Sequence, residues 1–79
     1  MSPTFFRHRS YRFYVNSREE KRMHIHVHTP DGEAKYWLEP LVELAVNFGI
    51  KNYDLKEIEI IIMEKQNEFK DLWKKHFNQ

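Results

Sequence analysis

The sequence predicts an α+β domain, an antiparallel three- to four-stranded meander followed by two C-terminal helices packed on one face. Three observations predict this class. Apolar and polar residues alternate in short runs between positions 5 and 38, as they do in half-buried antiparallel strands. Two of these runs flank the turn sequence Thr-Pro-Asp-Gly at 29–32. Beyond position 40, apolar residues recur at intervals of three and four, which is typical of amphipathic helices.

Two short strands are expected at residues 5–7 and 11–15, on either side of a turn at 8–10. Successive side chains of a strand point to opposite faces, so the second strand has one face for the core and one for the outside. The expected core-facing side chains are Tyr11, Phe13 and Val15. The expected outward-facing side chains are Arg12, Tyr14 and Asn16. Residues 16–22 are polar, show no periodicity and are expected to form a loop.

The central hairpin is expected to turn at Pro30 and Asp31. Proline suits the second position of a type I turn, aspartate the third and glycine the fourth. With a two-residue loop, Thr29 faces Gly32, and the register of both strands follows. The apolar face then pairs Met23 with Leu38, Ile25 with Tyr36, and Val27 with Ala34. The opposite face pairs His24 with Trp37, His26 with Lys35, and His28 with Glu33. A slip of one residue would mix polar and apolar residues on both faces, and the buried face selects against it.

A first helix is predicted from Pro40 to the residue before Gly49. Proline is favoured at the first helical position, and glycine is a common C-terminal stop. The apolar residues at helical spacing are Leu41, Leu44, Ala45 and Phe48.

A second helix is predicted to start near 52–54 and to reach Phe77. Acidic residues lead it and basic residues close it, which suits the helix dipole. About 26 residues would be ~39 Å long, whereas a globule of this size is about 30 Å across. The helix therefore either bends near 66–67 or projects its C-terminal aromatic residues toward a partner. These aromatic residues are Phe69, Trp73 and Phe77.

The composition indicates one domain, residues 1–79, located in the cytoplasm. There is no cysteine, no apolar run of membrane-spanning length, and no signal-peptide-like start. Charge is uneven: residues 1–30 hold six Arg or Lys against two Glu, whereas residues 31–79 hold seven basic and ten acidic residues. An anionic partner would therefore meet the N-terminal strands, unless the two halves simply attract each other.

The predicted outward face of the sheet is the candidate functional face. It interleaves cationic and aromatic side chains: Arg12, Tyr14, His24, His26, Lys35 and Trp37. Such a face can dock a protein, bind phosphates and unpaired bases of RNA, or simply stabilise an exposed sheet. The imidazoles also allow an enzyme, an RNA-cleaving or metal-dependent hydrolase centred on His24 and His26.

A metal site would need a third ligand. His24, His26 and His28 alternate along one strand and form a row on this face. Neighbours in the row lie ~6.6–7 Å apart along the strand, so two of them can converge on one ion. The third ligand would come from His8, Glu33 or a glutamate of the 16–22 loop. Without a clear third ligand, the sequence predicts no bound metal and no cofactor.

Several motifs resemble a known family. They are His-Ile-His-Val at 24–27, Asp-Gly-Glu-Ala-Lys-Tyr-Trp-Leu at 31–38, Arg-x-x-x-Tyr-Arg-Phe-Tyr at 7–14 and Phe-x-x-x-Trp-x-x-x-Phe at 69–77. Together they resemble the small bacterial family known as domain of unknown function 4160. The resemblance implies a toxin–antitoxin association with another small domain as partner. The expected function is therefore a small interaction module that binds a small protein or a second copy of itself, with RNA as a further possible ligand.

Overall fold

The computed structural model describes residues 3–16 and 21–77 of the chain. Within these ranges it contains five strands and two helices. They are β1 (Thr4–His8), β2 (Tyr11–Tyr14), β3 (His24–His28), β4 (Glu33–Trp37), β5 (Glu43–Phe48), α1 (Asn52–Glu64) and α2 (Gln66–Phe77). The strands form one antiparallel sheet in sequence order. The α+β class and the meander are thus confirmed, but the sheet has five strands instead of three or four.

The predicted hairpin register is confirmed at every pair of β3 and β4. The Thr29 amide donates to the Gly32 carbonyl at 2.8 Å, and the Gly32 amide donates back at 3.3 Å, so Pro30 and Asp31 form the two-residue loop. The Thr29 hydroxyl also accepts hydrogen bonds from the Asp31 and Gly32 amides, both at 3.1 Å. The side chain and backbone of one residue therefore hold the turn.

The predicted first helix is wrong, because residues 43–48 form β5 on the edge of the sheet. The helical spacing of the apolar residues was ambiguous, since Val42 and Val46 alternate with them and β-branched residues favour strands. Pairing with β5 also satisfies the backbone groups along the outer edge of β4. The Glu39–Pro40 peptide is cis, and Pro40 precedes a strand instead of opening a helix.

Both glycines lie where the hairpin turn meets the end of β5. Gly49 has a φ of +93° and ends a strand, not the helix that was predicted. A Cβ atom on Gly32 would overlap the Phe48 carbonyl oxygen, and one on Gly49 would lie 2.8 Å from the Asp31 carbonyl oxygen. A side chain at either position would therefore push β5 away from the turn.

The long C-terminal helix breaks at Lys65, which decides between the two predicted alternatives in favour of a bend. The helical segment starts at Asn52, as predicted. After the break, Phe69 is fully buried, and Trp73 and Phe77 pack against the same core. The aromatic residues of α2 therefore cover the chain's own sheet. Neither helix of the described part is both long and apolar enough to cross a bilayer.

The core lies between one face of the sheet and the two helices. Its buried apolar side chains come from β2, β3, β4, α1 and α2 and their flanking residues. They are Tyr11, Phe13, Val15, Ile25, Val27, Ala34, Tyr36, Leu38, Ile50, Ile58, Ile61, Ile62 and Phe69. The sequence placed eight of these on the apolar side of the strands, and their alternation leaves the opposite face for function.

Two tyrosine hydroxyls tie α1 to the sheet. The Tyr11 hydroxyl lies 2.9 Å from the Asp54 carboxylate and 2.8 Å from that of Glu57. The Tyr36 hydroxyl donates to the Leu55 carbonyl at 3.3 Å. Burial raises the pKa of both phenols, and neighbouring carboxylates add to the shift; the pKa of Tyr36 rises to about 12.

Stability should therefore fall in strong alkali, in part because of Tyr36. Its pKa is higher in the folded chain than the ordinary value near 10, so the unfolded chain ionises first. The stabilisation is complete below pH 10 and is lost as the pH rises toward 12. Urea unfolding across pH 8–12 measures this dependence. In Tyr36→Phe the free energy of unfolding should fall less steeply with pH, whereas Tyr53→Phe, at an exposed site, should leave the pH dependence unchanged. Identical pH curves for the two variants would contradict the assignment.

Candidate functional site

The six candidate residues share the sheet face that is opposite the core, called the polar face below. The strand registers require this, because Tyr14 lies opposite His26, His26 opposite Lys35, and His24 opposite Trp37. Arg12 joins the same face opposite His28. The structure thus brings all six onto one surface, although it does not expose all of them.

One end of the polar face is built by β2 and β3. The Arg12 guanidinium lies 4.5 Å from the centre of the Tyr14 ring, and its Nε donates to the Thr4 hydroxyl at 2.6 Å. The Tyr14 ring stacks on His26, with 5.2 Å between ring centres and 23° between ring planes. Tyr14 also donates its hydroxyl hydrogen to Glu33 at 2.7 Å. The Tyr14 ring is therefore held by Arg12 and His26, and its hydroxyl by Glu33.

The other end is built around Trp37. Two cations approach this ring, Arg22 at 4.1 Å and Lys35 at 4.6 Å from the ring centre. His24 meets the ring edge-to-face at 6.0 Å and meets His26 in the same way at 5.2 Å. Arg12, Tyr14, His26, His24, Trp37, Arg22 and Lys35 thus form one continuous cation–aromatic ladder. Arg22 was predicted to lie in the 16–22 loop. The signal that could have placed it on the polar face is its position directly before Met23, which belongs to the apolar face.

The expectation of a histidine row facing solvent is wrong for His24. This side chain is fully buried, whereas His26 is half-buried and His28 is exposed. The Nδ1 of His24 lies 2.7 Å from the Arg22 carbonyl oxygen, which can only accept, so Nδ1 carries the hydrogen. Trp73 of α2 contacts His24 with 6.3 Å between ring centres. After the break at Lys65, α2 places Trp73 at this end of the sheet.

Burial of His24 changes the chemistry available to the site. A general acid or base must reach its substrate within hydrogen-bond distance, directly or through one water. His26 retains partial exposure, with its Nε2 3.4 Å from the Asn16 amide nitrogen. His24 is the fully buried member of the ladder and acts there as a packing residue. Of the two histidines named for a hydrolase, only His26 can meet a ligand in this conformation.

The structure does not assemble the proposed metal ligands. His8 lies beside Glu57, 3.7 Å from its carboxylate, and contacts the Tyr11 ring on another part of the sheet. Glu33 accepts the Tyr14 hydroxyl and lies 3.7 Å from His28. Glu19 and Glu20 fall outside the described residues. Across residues 3–16 and 21–77, no three His, Asp or Glu side chains come close enough to hold a metal ion.

A shallow pocket of about 220 Å³ lies on the exposed part of the polar face. It is lined by Tyr14, Asn16, His26, Glu33, Ala34, Lys35, Val46 and Phe48. The sequence did not reveal it, because Val46 and Phe48 were placed in a helix. Val46 and Phe48 give the pocket an apolar wall, and Lys35 and Glu33 are the charged residues of its lining.

The polar face is positively charged. Among the described residues of the strands and Arg22, it carries four permanent cations and two carboxylates. The cations are Arg7, Arg12, Arg22 and Lys35, and the carboxylates are Glu33 and Glu43, as the strand registers place them. Attraction between the two halves of the chain also occurs, since Arg9 lies 3.7 Å from Glu57 and Arg22 lies 3.9 Å from Glu43. A ligand complementary to this face is anionic.

Comparison with known proteins adds a family. The model of a family described as Domain of unknown function (DUF4160) matches residues 10–74, a range that includes all six candidate residues. No curated protein and no solved structure matches the chain.

The two central histidines should differ in their effect on stability. His24→Ala removes a fully buried ring and should lower the free energy of unfolding by about 2–4 kcal/mol, as truncations in a core do. His26→Ala removes a half-buried ring stacked on Tyr14 and should cost about 1 kcal/mol. Urea unfolding at neutral pH measures both. Equal losses would show that His24 is not packed as described.

Proposed function

This chain belongs to the family of domain of unknown function DUF4160, and from that premise and the geometry of the polar face we propose that it is a small interaction module. In this proposal it is one component of a toxin–antitoxin-like pair, and its polar face binds an acidic segment of a small partner protein. The observation that carries the proposal is the cation–aromatic ladder on the face that the core leaves open. Support for the pairing comes from the family resemblance.

The state of the aromatic rings favours a protein partner over RNA. Binding of unpaired bases requires open ring faces on which the bases can stack. Here Tyr14 carries Arg12 and His26 on its ring, and it is buried. Trp37 carries two cations. The rings are thus occupied by the chain's own groups, while arginine and aromatic residues arranged in this way are typical of protein interfaces.

The positive charge of the polar face favours an acidic partner segment. The cations of the polar face outnumber its carboxylates, so an acidic segment would be attracted and oriented as it approaches. Such attraction is screened over about 10 Å at 0.1 M salt. Binding should therefore weaken when the salt concentration is raised.

A charge reversal on the polar face tests the proposal. The chain is co-expressed with the product of the adjacent gene, and the affinity of the purified pair is measured by calorimetry. Lys35→Glu should weaken binding at least tenfold, about 1.4 kcal/mol or more. Lys74→Glu makes the same charge change at an exposed position of α2 and should have little effect. Equal effects of the two variants, or no association at all, would contradict the proposal.

The two alternative functions, RNA binding and RNA cleavage, predict different results for the same purified protein and its variants. Binding of an oligouridine that is abolished by Lys35→Glu would favour RNA as the ligand. Cleavage of RNA that is lost in His26→Ala, while the fold survives, would favour the hydrolase. For the proposed interaction module, His26→Ala should leave most of the partner affinity in place.

A further inference from the structure

The exposed large apolar side chains of the described residues lie along β5 and the residues just before it, and on α1. All of them lie between positions 41 and 63, in the β5 segment and in α1. They are Leu41, Leu44, Val46, Phe48, Tyr53, Ile60 and Met63. Scattered exposed apolar residues such as those of α1 are ordinary, but Leu41, Leu44, Val46 and Phe48 follow one another along a single edge of the sheet, as residues of an interaction surface do.

The shape of this surface requires a strand as its occupant. β5 pairs only with β4 within the described sheet, so its outer backbone groups are available for a further strand. Its apolar side chains point to both faces: Val46 and Phe48 lie on the polar face opposite Lys35 and Glu33, whereas Leu44 lies on the helix side opposite Tyr36. A helix laid on one face would cover only one set. An added strand extends both faces and also pairs with the backbone.

The opposite edge of the sheet is better protected than residues 46–48 of β5, which lie beyond the bulge of that strand at Ala45. β1 carries a bulge at Phe5 and the exposed charge of Arg7, two features that discourage edge pairing. The rings of Phe5 and Phe6 are turned toward Phe69 of α2, at 6.4 Å each. β5 carries a single charged residue, Glu43, at its start. An assembly through β5 would therefore stop at two copies and not continue into a fibre.

We propose that β5 pairs antiparallel with β5 of a second copy, about a two-fold axis that passes beside Asn47. Val46 of each copy then lies opposite Phe48 of the other on the polar face. This pairing joins apolar residues and opposes no charges. Both copies also keep their helices on the same side of the combined sheet.

The bulge at Ala45 selects this register. β5 has one more residue than β4 between Val46 and Leu44, so the alternation of faces shifts at that point. A two-fold axis at Ala45 or Val46 would oppose Leu44 on the helix side to a residue on the polar face. An axis beside Glu43 would oppose two carboxylates, which is destabilising. Residues 46–48 remain as the regular, uncharged stretch.

The oligomeric state tests the proposal without any ligand. The paired stretch is short, so light scattering after size exclusion should cover concentrations from about 10 µM to 1 mM, since small interfaces are weak. The protein should become dimeric within this range, and Phe48→Lys should raise the dissociation constant of the dimer at least tenfold. Ile60→Lys is the matched control on α1, with 58% exposure against 72% for Phe48, and should leave the dimer unchanged. A monomer at every concentration, or equal effects of the two variants, would overturn the proposal.

Cysteine cross-linking tests the register. The chain has no cysteine, so a single introduced cysteine can form a disulfide only with the same residue of another copy. Directly opposite residues of antiparallel strands lie about 4.5–5.5 Å apart between Cα atoms, within the range that a disulfide spans. Asn47→Cys should therefore form a covalent dimer under mild oxidation much faster than Thr4→Cys on the opposite edge.

A second pair of variants keeps Asn47 in place, because its side chain holds the turn through two 3.0 Å hydrogen bonds to Ile50. An equal mixture of Val46→Cys and Phe48→Cys should give mainly the mixed disulfide, identified by mass spectrometry. Equal amounts of mixed and like disulfides, or no cross-link, would overturn this register.

Discussion

The paired hydrogen bonds between Thr29 and Gly32 are the constraint on which the rest of the sheet depends. They limit the loop to two residues, and this loop length fixes which residues of β3 and β4 face each other. A shift of one residue would turn every side chain of a strand to the other face. Ile25 and Val27 would then leave the core, and the ladder would not exist. The same turn contacts the end of β5 through Gly32 and Phe48, so it also sets where the last strand lies.

The register of the hairpin could be predicted because its determinants are local. Turn chemistry at 29–32 and alternation on either side of it both indicate one pairing, and no distant contact is needed to choose it. Residues 41–48 lack such agreement. Their apolar residues fit a helix and a strand about equally, and the decision came from the free edge of β4. A short apolar run cannot be assigned by periodicity alone when tertiary pairing supplies the deciding hydrogen bonds.

The face of each candidate residue could be predicted, but its exposure could not. Faces follow from alternation within a strand, which is a property of the sequence. Exposure of His24 depends on where Trp73 lies, and that depends on the direction in which α2 leaves the break at Lys65. The sequence predicted a helix longer than the globule and left open whether it bends or projects its aromatic residues toward a partner; the structure decides for the bend. The sequence does not show which end of the sheet these residues reach.

The polar face is thereby divided into a covered half and an open half. In the covered half, His24 is fully buried against Trp37 and Trp73 of α2, so a ligand cannot reach its imidazole. The open half contains His26, Lys35 and Phe48 around the pocket next to β5. A ligand that binds the open half would lie beside the β5 edge. The proposed ligand site and the proposed dimer interface then share Phe48.

This overlap has a thermodynamic consequence. In the proposed dimer, the two pockets adjoin across the axis beside Asn47, and each brings one Lys35 and one Glu33 to the joined surface. An acidic segment long enough to cross the axis would contact Lys35 of both copies and would bind the dimer more tightly than the monomer. Linkage requires that the same segment strengthen the dimer by the same factor. Partner binding and self-association would thus reinforce each other, because a short edge that is weak alone becomes stable when the partner spans it.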